Sequence, residues 1–93
     1  MEIQIDQSES KGAAFIIKDG KRIAEMTYSV ASSSLIIVDH TEVDESLKGT
    51  GTGKKLLMAL VAKARNEDIK IIPLCPFAKS VFDKDATIQD VLK

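Results

Sequence analysis

The period of the apolar residues changes sharply between Gly49 and Gly51, and that change limits the fold more than any other feature. Ahead of Gly49, apolar residues alternate with polar ones or form short β-branched clusters; beyond Gly51 they recur at helical spacing. Ile3 and Ile5 predict a strand over residues 2–6. Phe15, Ile16 and Ile17 predict a second over 13–18, and Asp19-Gly20 then favours a tight turn because both residues tolerate positive φ. Residues 22–30 alternate and return as a third strand. The cluster Ile36-Ile37-Val38 supports a fourth over 35–43. From Gly51 to about Asn66, the series Leu56, Leu57, Leu60, Val61, Ala64 predicts a helix, with Lys63 and Arg65 in its last turns opposing the negative helix end. Residues 69–74 read as a buried fifth strand. Pro76 suits the first turn of a second helix, whose apolar face is expected from Phe77, Val81 and Phe82. Residues 87–92 are expected to form a helical turn or a short helix.

Four strands, helix, strand, helix is the order of a mixed α/β sheet. The first four strands can form an antiparallel meander. The strand–helix–strand unit after them requires a parallel crossover. With 93 residues, a single domain over 1–93 is expected. Aromatic residues are scarce, so aliphatic side chains must supply the core. The formal net charge of -1 gives no global attraction to nucleic acid or to an anionic membrane. The lone Cys75 cannot form an internal disulfide and fits a reducing compartment. With His40 as the lone histidine, a His/Cys zinc site is excluded, and no metal is expected. No apolar run reaches membrane-span length, and the opening residues MEIQIDQSES lack a signal-peptide pattern, so the expected location is cytoplasmic.

The junction between the two periods reads Lys48-Gly49-Thr50-Gly51-Thr52-Gly53-Lys54. Glycines let the backbone turn sharply and let a ligand approach its N–H groups. A helix start adds unpaired donors and about half a positive charge. A phosphate or diphosphate is the natural occupant, and Lys48, Lys54 and Lys55 surround it with positive charge. The alternative is a flexible turn with surface lysines. Two known phosphate loops do not match. A P-loop needs Gly five residues before its Gly-Lys-Ser/Thr, but Lys48 stands there and Lys55 follows Lys54. The dinucleotide fingerprint needs a third glycine where Lys54 stands.

The segment resembles motif A of the Gcn5-related N-acetyltransferases, which runs (Arg/Gln)-x-x-Gly-x-(Gly/Ala) after a strand and opens a helix. Val43, Lys48, Gly51 and Gly53 fall in register with it, and Leu56 and Leu57 continue the helix. Further on, Cys75, Ala78 and Phe82 fall where family members often carry Asn, Ala and Tyr. The resemblance covers roughly residues 35–84, and HTEV at 40–43 with PLCPFAKSVF at 73–82 makes the whole chain similar to the short members of that superfamily.

The resemblance implies the fold just derived, with the fourth and fifth strands splayed into a cleft. It implies acetyl-CoA as acetyl donor, a coenzyme A thioester as partner and an amine as acceptor. The pantetheine arm is expected to pair with backbone around Thr41 and Val43. The diphosphate is expected on the N–H groups from Gly49 through Thr50, Gly51, Thr52 and Gly53, flanked by Lys48 and Lys54. Lys48 stands for the usual Arg or Gln and lacks its bidentate fork. Phe82, in place of the frequent general-acid Tyr, has no proton to give.

His40 and Glu42 alternate along the fourth strand and are expected on one face with Ile36 and Val38. If that face meets the cleft, either could accept the amine proton; otherwise one is a solvated edge residue and the other a structural histidine. Cys75, at the end of the fifth strand, could carry the acetyl group or donate a proton, or could be inert packing.

Overall fold

The computed structural model describes residues 2–93. Strands β1 (Gln4–Gln7), β2 (Lys11–Lys18), β3 (Lys21–Ser32) and β4 (Leu35–Val43) form the expected antiparallel meander. Helix α1 (Thr52–Glu67) crosses to β5 (Lys70–Pro73), which pairs parallel with β4, so the sheet order is β1-β2-β3-β4-β5. Helix α2 (Pro76–Lys84) follows, and 3-10 turns occupy Glu45–Leu47 and Ala86–Val91. Asp19 and Gly20 both take positive φ, as a tight hairpin with matched twist requires. Asp68 ends α1 in the left-handed region, and the Ile69 N–H returns to the Ala64 carbonyl at 2.8 Å.

One face of the sheet carries the core. Ala14, Ala24, Met26, Tyr28, Ile36, Val38 and Ile71 meet Leu56, Leu57, Leu60, Val61 and Ala64 of α1, and Ala78 and Phe82 of α2 close it. The leucine stripe is therefore core. Tyr28 reaches across β2 to donate to Gln7 Oε1 at 2.7 Å, which only a glycine at position 12 permits: a Cβ there would sit 2.3 Å from the ring. On the other face the Arg22 guanidinium lies 3.9 Å over the Phe15 ring.

The outer edge of β5 is sealed by the C-terminal segment, which the pattern predicted as a helical turn or a short helix. Leu92 bridges to Ile71, and the Lys93 N–H donates to the Ile71 carbonyl at 2.9 Å. Arg65 clamps this segment, donating to the Thr87 carbonyl at 2.6 Å and to both carboxylate oxygens of Asp90 at 3.0 and 2.9 Å. No helix among the described residues is long and apolar enough to cross a membrane.

β4 and β5 separate where the site begins. They pair only from Leu35 to Val38; beyond that, the N–H groups of Leu74 and Cys75 both converge on the Val38 carbonyl, at 3.1 and 3.0 Å. Pro76 then turns the chain into α2. The last residues of β4 are left with a strand on one side only.

Candidate functional site

A β-bulge at Asp39 decides which side chains face the separated strands. Tyr28 pairs with Val38 and Thr27 with His40, so Asp39 has no partner across the ladder. The extra residue inverts the alternation. Thr41 and Val43, opposite Met26 and Ala24, join Ile36 and Val38 on the helix face. The expectation that His40 and Glu42 share a face with Ile36 and Val38 is therefore corrected: they point to the opposite face, opposite Thr27 and Glu25. There His40 Nε2 lies 3.3 Å from Glu42 Oε1, and both side chains are exposed.

The backbone of β4 follows the same logic. The Asp44 N–H donates to Ile23 of β3 at 2.7 Å. In an antiparallel ladder the direction of the polar groups alternates, so Glu42 turns its N–H and C=O toward β3 while Thr41 and Val43 turn theirs to the edge that β5 has left. At that edge the Thr41 hydroxyl and the Cys75 thiol meet, Oγ1 to Sγ 3.2 Å, with Cys75 buried.

The glycine-rich turn sits beside this edge. Gly49 and Gly51 adopt φ of 80° and 76°, a region that side chains with a Cβ enter only at a cost, and a Cβ at either would meet no protein atom within 4 Å. Gly51 caps α1 without a side-chain bond, and the first intrahelical bond runs from Lys55 N–H to its carbonyl at 3.0 Å. Among the described residues, the N–H groups of Gly49, Gly51, Thr52, Gly53 and Lys54 find no acceptor. Five donors at the positive end of a 16-residue helix make an anion site with the diphosphate as its natural match.

Thr50 departs from expectation. Its N–H and hydroxyl both donate to the Leu47 carbonyl, the N–H at 3.2 Å, and its side chain lies against Thr52 Oγ1 at 2.6 Å. It braces the turn and lies outside the groove lining. The other candidate cofactor residues do line one groove of about 500 Å³: Thr41 and Val43 from β4, Lys48 and Gly49 from the turn, and Gly51, Thr52, Gly53 and Lys54 at the helix start.

The second wall of this groove was missed in the sequence. Phe77, Ser80, Val81 and Lys84 of α2 complete it. Their spacing is itself a helical stripe, but it reads as core until the placement of α2 beside the glycine-rich turn is known. The expected apolar face of α2 is thus divided. Phe82 is core at 1% exposure, whereas Phe77 is 40% exposed and lays its ring on Gly53, 2.8 Å from where a Cβ would stand. A second cavity, of about 460 Å³, borders Arg22, Glu25, Glu42 and Asp44 and shares Thr41, Val43 and Lys48 with the groove. Cys75 borders neither cavity. No cluster of His, Cys, Asp and Glu suited to a metal ion occurs among the described residues.

Known proteins share this arrangement. A GCN5-like protein from Staphylococcus aureus, solved in solution, is 40% identical over 97% of this chain and 87% of its own, with a TM-score of 0.72. A ribosomal-protein-alanine N-acetyltransferase from Brucella melitensis shares the fold at 20% identity and TM-score 0.68, over 85% of this chain and 63% of that one. Rv2747 from Mycobacterium tuberculosis, solved in complex with CoA, shares it at 20% identity and TM-score 0.55, over 90% of this chain and 65% of that one. No curated protein matches the chain. The family model described as GCN5-related N-acetyl-transferase matches residues 14–91, from the second strand to the C-terminal turn. A glycine-rich helix start beside a parted strand pair, together with that match, places this chain in the GCN5-related N-acetyltransferase family.

Proposed function

We propose that residues 1–93 act as one acetyl-CoA-binding domain that transfers the acetyl group to an amine. The observation carrying this reading is continuity: five unpartnered amides at the start of α1 open into a groove that leads along the free edge of β4 to Thr41, whose hydroxyl meets the buried Cys75 thiol behind it. The amides of Gly49 and of residues 51–54 hold the diphosphate, with Lys48 close by. The backbone groups of Thr41 and Val43 pair with the amides of the pantetheine arm, much as a lost strand would. The CoA complex of the Mycobacterium tuberculosis relative supports this ligand class. Acetyl-CoA, when bound, supplies a thioester carbonyl for attack by the amine nitrogen.

The chain's own residues then handle protons and orientation. The second cavity reaches the edge of β4 from the face that carries Glu42, so an amine entering there meets a carboxylate. Glu42, steadied by His40, accepts the amine proton directly or through water. The Cys75 thiol, beside the Thr41 hydroxyl, supplies the proton that the departing thiolate takes, or carries the acetyl group in transit. A single free thiol suits a reducing, cytoplasmic setting.

Titration calorimetry with acetyl-CoA tests the binding step; no heat at high micromolar protein counts against it. Incubation with acetyl-CoA and a panel of amines tests transfer. Phe82, packed in the core where relatives often carry a general-acid Tyr, favours a second reading in which the chain binds CoA without catalysis. Sustained CoA release above background rejects that reading.

A further inference from the structure

We propose that Lys54 and Lys84 form a separate subsite at the outer end of the groove, which recognises the 3′-phosphate of the CoA adenosine. This rests on the cofactor reading above and adds a specificity element to it.

The argument starts from direction. α2 begins at Cys75, against Thr41, and runs along the groove for 9 residues to Lys84. At about 1.5 Å per residue, Lys84 stands about 13 Å from the end where the thioester arm leads. The diphosphate occupies the amides between these ends, so the nucleoside must extend toward the carboxyl end of α2. Lys54 reaches the same place from α1. The Asp85 carboxyl is held below the usual carboxylate range chiefly by hydrogen bonds from Thr87, with a further contribution from the charge of Lys54.

Charge pairing separates these two lysines from Lys48, the third lysine that lines the groove. Lys48 is held by Glu45 at 3.0 Å, Lys63 by Glu67 at 2.7 Å and Lys79 by Asp83 at 3.2 Å. Among the described residues, neither Lys54 nor Lys84 has a carboxylate partner, and both line the groove. Asp85 instead accepts from the Thr87 N–H and hydroxyl at 2.9 and 2.5 Å. Phe77 and Val81 make the stretch between the lysines and the edge of β4 apolar. The groove thus offers backbone donors for a diphosphate, an apolar wall toward the edge of β4, and two free cations at its outer end. A dianionic phosphate beyond the ribose answers that last feature; the diphosphate, already served by five amides, does not need it.

Titration calorimetry at low salt with CoA and with dephospho-CoA separates the possibilities, using the wild-type chain and a Lys84→Gln variant. The wild type is expected to favour CoA about tenfold, a preference that shrinks as salt rises. The Lys84→Gln variant is expected to lose most of the preference while keeping its affinity for dephospho-CoA. Equal wild-type affinity for the two nucleotides, or a variant that weakens both alike, overturns the subsite and leaves the cofactor reading standing. If neither nucleotide binds the wild type, the cofactor reading fails and the subsite with it.

Discussion

A single methyl added at Gly51 or at Gly53 should give opposite signatures, because the two glycines answer different demands. Gly51 has φ of 76° and open space around its missing Cβ. Alanine there meets no protein atom but must adopt a left-handed backbone at a cost of about 1–2 kcal/mol. In a domain of this size that lowers Tm by about 5–12 °C. Gly53 lies within α1, where alanine fits the backbone and gains at most about 0.5–1 kcal/mol. Its Cβ would lie 2.8 and 2.9 Å from two atoms of the Phe77 ring. That ring is 40% exposed, so it can swing away. Doing so forfeits about 1 kcal/mol of partial burial. The two terms nearly cancel, and Tm should stay within about 4 °C of wild type. The displaced ring moves into the groove, however, and should weaken CoA binding about tenfold, as a modest overpacking does. Thermal melts and calorimetric titration of Gly51→Ala, Gly53→Ala and Gly53→Ala/Phe77→Ala measure all of this. The double variant should recover most of the lost affinity, because the clash and the obstruction are the same ring. If removing Phe77 restores nothing, the ring is not what Gly53 accommodates. If Gly51→Ala melts with the wild type, the strain argument fails.

Other substitutions probe the rest of the site and the fold. Glu42→Gln should lower kcat about 100-fold with little change in the KM for acetyl-CoA, as loss of a general base does, measured by CoA release. Cys75→Ser should leave CoA affinity intact by calorimetry and lower kcat at least about tenfold, as expected when a proton donor or acyl carrier is weakened. Gly12→Ala forces a Cβ to within 2.3 Å of a Tyr28 ring held by Gln7, and should destabilise the fold by about 1–3 kcal/mol in chemical denaturation. The Asp90 carboxyl is held below its usual range by hydrogen bonds from Arg65, so its contribution is present above the unfolded-state value and lost as pH falls through the folded one. Melts below about pH 4 should therefore show wild-type stability dropping toward that of Asp90→Asn, with the gap between them widest near neutral pH.

Local pattern sufficed for most of the architecture. The alternation before Gly49 and the helical spacing after Gly51 predicted β4 to the residue and α1 to within two, because each element buries one face and its apolar residues must keep that period. The glycine-rich turn was legible for the same local reason, since positive φ at Gly49 and Gly51 and a bare helix start belong to those few residues. Three features were settled only by contacts between elements distant in sequence. The bulge at Asp39 comes from the register of β4 against β3, and it sends His40 and Glu42 to the face away from the helices. Phe77 faces the groove because α2 packs beside the start of α1, where its ring lies against Gly53, a relation that its own spacing cannot express. Thr50 braces the turn because the 3-10 turn before it presents the Leu47 carbonyl. A chain's periodicity says which residues must be covered; which partner covers them, and which are left facing a ligand, depends on how separate elements come together.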